Sequence, residues 1–165
     1  TNNKVGNVIY KVIEYFGDDV RRINHFLKVY GYVKMIGECE NLDDSMQEIL
    51  EVTAVLHDVG IKVAEQKYNS SAGHYQQLEG PPVAKKILDE LGYPDDFVER
   101  VMYLIAHHHT YTNIDGMDYQ ILVEADFLVN ADEDRLSSDA IENFKEKIFK
   151  TTTGIAVLEN NYLNL

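Results

Sequence analysis

The stretch SMQEILEVTAVLHDVG, residues 45–60, is apolar or small at Met46, Ile49, Leu50, Thr53 and Leu56. That spacing is the buried stripe of one α-helix. Asn41 to Asp44 supply candidate caps ahead of it, and Gly60 supplies a stop behind it. The helix ends on His57-Asp58, two side chains that each want a charge or a metal, at the close of an apolar run. At a helix end the backbone tightens or unwinds. Two adjacent side chains can then converge on one point despite their offset of about 100° on a regular helix.

The same punctuation recurs on both sides. Val5 to Phe16 is apolar at 5, 8, 9, 12, 13 and 16, and Gly17 ends it. Asp18 or Asp19 caps a second helix running to about Ile36. Downstream, Lys67 to Gly73 reads as a polar loop, followed by a short turn. Gly80-Pro81-Pro82 reads as the start of a helix ending at Leu91-Gly92, because proline is favoured at the first helical position. Pro94-Asp95-Asp96 opens another through His109, and Tyr119 to Asn130 and Ser138 to Phe149 give two more. Strand alternation is nearly absent, and Asp115-Gly116 reads as a loop turn. The expectation is one all-α domain over residues 1–165, a bundle of about six to eight helices.

Composition narrows the function. With 45% hydrophobic residues, eleven tyrosines and 165 residues, the chain can bury a sizeable core. The net charge of −13 opposes extended contact with a nucleic acid polymer or an anionic membrane. A small anionic substrate needs a local cation, and a divalent metal is the natural one in so acidic a protein. No run approaches the roughly 20 apolar residues of a membrane span, and no signal-peptide pattern opens the chain. The single cysteine, Cys39, rules out an internal disulfide and a multi-thiolate zinc site. Its acidic setting, Gly37-Glu38-Cys39-Glu40, disfavours a nucleophilic thiolate. The expected location is the reducing cytoplasm.

Polar residues on buried stripes point to chemistry. His25 shares a face with Val29 and Tyr32, and His57 with Leu50 and Thr53. Asp126 follows Leu122 by four within the run ILVEADFLV, residues 121–129. A lone carboxylate buried there costs several kcal/mol unless paired or metal-bound, about 3–5 by analogy with broken buried pairs. In the helix from Asp95, the stripe of Phe97, Val101, Leu104 and Ile105 continues to His108, with His109 beside it. His107 projects with Arg100 and Tyr103 towards solvent. A single histidine on an apolar face is ordinarily a satisfied core residue. Several histidines on helices that can converge are harder to explain that way.

Taken together these residues resemble the HD-domain superfamily of metal-dependent phosphohydrolases. That family's pattern is a histidine on an early helix, a His-Asp doublet ending a later one, and a distal aspartate. His25, His57-Asp58 and Asp126 match it in order. TAVLHDVG (53–60), EGPPVA (79–84), the helix ending LIAHHH (104–109) and EAD (124–126) match its context, so the resemblance runs from about Arg21 to Asn130. It implies a metal-site core over about 21–130, followed by C-terminal helices over 131–165.

The resemblance also implies hydrolysis of a small phosphoester, a nucleotide or related phosphate, by a metal-activated water. His25, His57, Asp58 and Asp126 are the expected primary metal ligands, with Asp58 at the centre of catalysis. His74, His108 and His109 are expected to ligate a second ion or the substrate phosphate. Glu79 is expected as a proton shuttle and Lys62 as a phosphate contact. Nitrogen and oxygen donors without sulfur favour one or two ions of iron, manganese, cobalt, nickel or magnesium over structural zinc. A homo-oligomer is left open. The alternative is a metal-binding sensor or interaction domain without turnover.

Overall fold

The computed structural model describes residues 4–163. Among them run nine α-helices and a closing π-helical turn: α1 Val5–Phe16, α2 Val20–Cys39, α3 Asp44–Leu56, α4 Ile61–Tyr68, α5 Gly73–Glu90, α6 Asp95–His107, α7 Met117–Glu133, α8 Ser138–Lys147, α9 Thr152–Leu158, and the turn Glu159–Leu163. No strand occurs among the described residues, and no helix is long and apolar enough to cross a membrane. The fold is all-α, as the periodicity indicates.

The segment 45–60 forms the centre of the bundle. Asp43 caps α3, its carboxylate accepting the Met46 N–H at 2.8 Å. From Leu50 to Leu56 every residue of α3 is buried, and the helix packs on α1, α2, α6 and α7. A helix apolar on nearly all faces has to be enclosed. One cluster of buried residues joins α2 and α3 to α7 and the C-terminal helices through Val29, Val33, Leu50, Leu122 and Leu158. A second joins α1, α2, α3, α5 and α6 through Val8, Phe26, Val55, Leu88 and Val101.

Two helices escape the sequence reading. α4 buries only Ile61 and Ala64, too thin a stripe to register. α9 starts in two threonines and a glycine, all poor helix formers. It forms because Thr151 caps it, accepting the Gly154 N–H at 2.8 Å. The fully buried Glu124 then accepts from Thr151 Oγ1 at 2.6 Å and from the Lys150 and Thr151 N–H groups at 2.9 and 3.1 Å. A Cβ on Gly154 would run into the Glu124 carboxylate. Glu124→Ala leaves those donors buried and unanswered. A loss of roughly 3 kcal/mol in chemical denaturation is expected, with metal binding by the folded protein retained.

The start of α5 is a correction. It begins at Gly73 and carries Pro81 and Pro82 inside it, so the short turn expected between the 67–73 loop and Gly80 is helix, and Lys67 and Tyr68 of that loop belong to α4. The two prolines have no N–H and forgo two ladder bonds. Tertiary contact outweighs that loss. The buried Gln76 meets His109 Nε2 of the segment after α6 through its Oε1 at 3.0 Å, and the His57–Gly60 turn lies directly on α5. A Cβ on Gly60 would come within 2.6 Å of Gly80 N, and one on Gly80 within 2.7 Å of Ile105. These two glycines let the turn holding His57 and Asp58 press against α5, and α5 against α6.

Candidate metal centre

Four elements aim polar side chains at one point. His25 comes from α2, His57 and Asp58 from the turn ending α3, Asp126 from α7, and His108 from the C-terminal cap of α6. All five are buried, with His57 at 0% exposure and His108 at 1%. His25 Nε2 lies 3.2 Å from Asp58 Oδ2, 3.2 Å from Asp126 Oδ1 and 3.3 Å from His57 Nε2. His57 Nε2 lies 3.3 Å from Asp58 Oδ2 and 3.4 Å from Asp126 Oδ1.

The outer nitrogens decide which atoms face inward. His57 Nδ1–H donates to the Ala54 carbonyl and His108 Nδ1–H to the Ile105 carbonyl, each at 2.6 Å. His25 Nδ1–H donates to Glu133 Oε1 at 2.7 Å. A carbonyl or carboxylate accepts only a proton-bearing nitrogen. Each imidazole therefore turns Nε2 to the centre, where a proton or a metal completes it.

His25 Nε2 and His57 Nε2 confront each other at 3.3 Å. Two lone pairs at that distance repel, so the pair needs either a proton on one nitrogen or a metal ion between the two. Asp126 Oδ1 and His108 Nε2 are buried with no hydrogen-bond partner. The oxygen–nitrogen approaches around Asp126 are close enough to hold an imidazole charged, yet too poorly directed to count as hydrogen bonds. Two triads have their ligand atoms within 4.8 Å of one another: His25, His57 and Asp58, and Asp58, His108 and His109. Asp58 belongs to both. This donor set fits a divalent ion.

The electrostatics agree. Burial opposes a charge on His25, but Asp126 and Asp58 outweigh it and push the imidazole up to about 10. His57 is raised in the same way, against complete burial, by Asp58 and Asp126. Burial also opposes charge on Asp58 and Asp126, yet the facing imidazoles hold both well below the ordinary carboxylate range. Burial, with His109 and His57 adding to it, lowers His108 to about 4, so it is neutral at physiological pH.

A pH dependence follows. In the metal-free protein His25 keeps its proton at every pH below its raised value, and that proton occupies the nitrogen a metal would take. Binding therefore expels a proton, and affinity rises from neutral pH towards 10. Calorimetry in buffers of different ionisation enthalpy checks this. Equal heats in all of them would remove the proton from the account.

Not every expected residue reaches the centre. His109 does, in part: its Nε2 lies 3.0 Å from Gln76 Oε1 and its N–H donates to Gln77 Oε1 at 3.0 Å. His74 sits in the first turn of α5, exposed, its ring centroid 4.0 Å from that of Tyr75, and it joins neither triad. Lys62 is exposed and donates to the Tyr15 carbonyl at 3.3 Å, which takes it away from any phosphate contact. Glu79 accepts from Tyr68 OH at 2.7 Å and Lys67 Nζ at 3.0 Å. The Tyr68 hydrogen bond, with Lys67, holds its carboxyl below the usual range, and a proton shuttle needs the opposite. His107 accepts no central role: its Nδ1 bonds the Tyr103 carbonyl at 2.7 Å and its ring stacks on Tyr103.

Other residues at the site went unread. A cleft of about 710 Å³ opens over His25, Asp58, His109 and Asp126, lined also by Arg21, Arg22, Gln76, Asn130 and Glu133. Asn130 and Glu133 follow Asp126 by four and seven, one and two turns along the same face. That spacing is a usable signal. Gln76 had none, since its segment reads as a short turn.

A family model described as HD domain matches residues 22–142, a span that contains every residue of both triads. In fold, the chain is similar to the crystal structure of a predicted HD superfamily hydrolase from an uncultured Thermotogales bacterium. The TM-score is 0.66 at 23% identity, over 97% of this chain and 84% of that one. No curated protein matches the sequence.

Proposed function

The chain belongs to the HD-domain family, and from that premise we propose that it is a metal-dependent phosphohydrolase acting on a small phosphoester, a nucleotide or related phosphate. The observation that carries the reading is the pair of inward-facing triads sharing Asp58, with Asp126 Oδ1 and His108 Nε2 buried beside them without a hydrogen-bond partner.

His25, His57, Asp58 and Asp126 would hold a first ion, and Asp58, His108 and His109 a second. The mixed nitrogen and oxygen set suits iron, manganese, cobalt, nickel or magnesium. A bound divalent ion supplies a water acidified to near neutrality and polarises a phosphoryl oxygen. The chain's own part is to aim and to charge the site. Asp58 and Asp126 remain carboxylates, and neutral His108 keeps its Nε2 lone pair. Gln76 holds the His109 ring. Arg22 is committed to Asp19 and Glu65 at 3.0 Å, which leaves Arg21 as the cation lining the cleft that can meet a phosphate. The substrate is small, and neither a nucleic acid polymer nor a membrane is a partner of so acidic a surface. A single exposed cysteine is at home in a reducing cytoplasm.

Elemental analysis of purified protein, with assays on phosphomonoesters, phosphodiesters and nucleotides, tests the proposal. Stoichiometric metal with metal-dependent hydrolysis supports it. Bound metal without turnover on any of them would favour the sensor reading, and absence of metal affinity would sink both.

A further inference from the structure

We propose that Glu133 is the positioning residue that sets the metal affinity of this site, acting through His25; the inference rests on the metal-binding reading above. Three imidazoles turn Nε2 inward, and their outer nitrogens differ in one respect. His57 and His108 donate Nδ1–H to neutral backbone carbonyls of their own helices. His25 alone donates to a carboxylate, Glu133 Oε1 at 2.7 Å, and it does so from α2 to the last residue of α7.

The difference has a direct consequence. A carboxylate draws the Nδ1 proton towards itself and pushes electron density to Nε2, making that nitrogen a stronger donor than one backed by a carbonyl. It also fixes the ring's rotation. Neither can be supplied locally for His25, which sits mid-helix with its neighbouring carbonyls tied into the helix ladder. At the α3 and α6 ends, by contrast, the helix ladder is running out, and the carbonyls of Ala54 and Ile105 are at hand to accept a ring N–H.

The second carboxylate oxygen of Glu133 is held too. Lys28 Nζ, one turn after His25 on α2, lies 3.1 Å from Oε2. Lys28 is half exposed, and the Glu133 side chain is 22% exposed. The chain Lys28–Glu133–His25 thus runs from solvent to the centre along one edge of the cleft. Asp134 follows Glu133 and also lines the cleft, but makes no contact with His25. It provides a control for charge without the hydrogen bond.

The test is equilibrium titration of metal-free protein with Mn²⁺ against a competing chelator, comparing parent, Glu133→Gln, Glu133→Ala and Asp134→Asn. Glu133→Gln keeps an acceptor of nearly the same shape and removes the charge. Its affinity should fall about 10- to 100-fold, the range for an outer partner of a ligating histidine, and Glu133→Ala should fall at least as far. Asp134→Asn should stay within about twofold of the parent, because an exposed charge is screened by solvent. Imidazole nitrogen NMR should show the His25 resonances displaced in Glu133→Gln, with those of His57 and His108 in place and the helical circular dichroism of the metal-free protein retained. A Glu133→Gln protein that binds Mn²⁺ as tightly as the parent overturns the inference and leaves the metal site standing. Equal losses in Glu133→Gln and Asp134→Asn overturn it as well, since general charge would then explain both. A parent protein that does not bind Mn²⁺, or any other divalent ion tried in its place, overturns the site and the inference together.

Discussion

Asp58→Ala is expected to abolish both metal binding and hydrolysis while leaving the helical content of the protein unchanged. Asp58 is the one residue in both triads, with Oδ2 3.2 Å from His25 Nε2 and Oδ1 3.8 Å from His108 Nε2. Removing it takes a ligand from each ion and half the negative charge from the centre. The remaining groups are three inward imidazoles and Asp126, a single carboxylate that offsets only half the charge of a divalent ion. The loss in affinity should exceed the roughly 100-fold ceiling for outer partners. The side chain projects from the turn after α3, where it supports no helix ladder, so circular dichroism should match the parent. Full metal occupancy by elemental analysis in this variant would refute the ligand assignment.

The second large effect separates two neighbouring histidines. His108→Ala should lower kcat/KM by at least about 100-fold, comparable to losing a ligand or an oriented electrostatic group. His107→Ala should stay within about threefold of the parent, the usual small effect of a change outside the site. His108 is buried with Nε2 unpartnered and its ring 5.4 Å from that of His57. His107 is half-buried, and its Nδ1 bonds the Tyr103 carbonyl one turn back on its own helix. Because His108→Ala also removes a buried ring, His108→Gln is a companion variant that keeps bulk without the imidazole. Equal losses at 107 and 108 would mean that the α6 terminus as a whole, and not one ring, supports activity. Metal titration adds a second readout: the ion held by Asp58, His108 and His109 should be lost from His108→Ala, while the one at His25 and His57 remains.

The central part of this arrangement was legible because it is local. The stripe of Leu50, Thr53 and Leu56 places His57 inward, Leu122 and Val129 do the same for Asp126, and Leu104 and Ile105 carry the reading on to His108. All three are buried at the centre. A helix with a fixed repeat lets spacing along the chain report direction in space, whatever the helix packs against. The same logic failed where local preference and tertiary contact disagreed. Pro81 and Pro82 are poor interior helix residues, yet α5 runs through them because Gly60 and Gly80 bring the His57–Gly60 turn against its backbone. Its earlier start puts His74 on an exposed face.

Roles that depend on a partner were the least legible. Lys62 and Glu79 stand in motifs where a resemblance assigns them chemistry, but α1 offers Lys62 a carbonyl, and α4 offers Glu79 a lysine and a tyrosine. In the other direction, Glu133 lies 108 residues from the histidine it supports. It became relevant only because α7 runs three residues beyond Asn130. Sequence by itself determined that this chain is helical and that His25, His57, His108 and Asp126 face inward, since both follow from short-range periodicity and backbone preference. Only the tertiary structure decided which of those groups meet, which are diverted to other partners, and which carboxylate stands behind His25. Those outcomes depend on distances between segments remote in the chain, which no local repeat encodes.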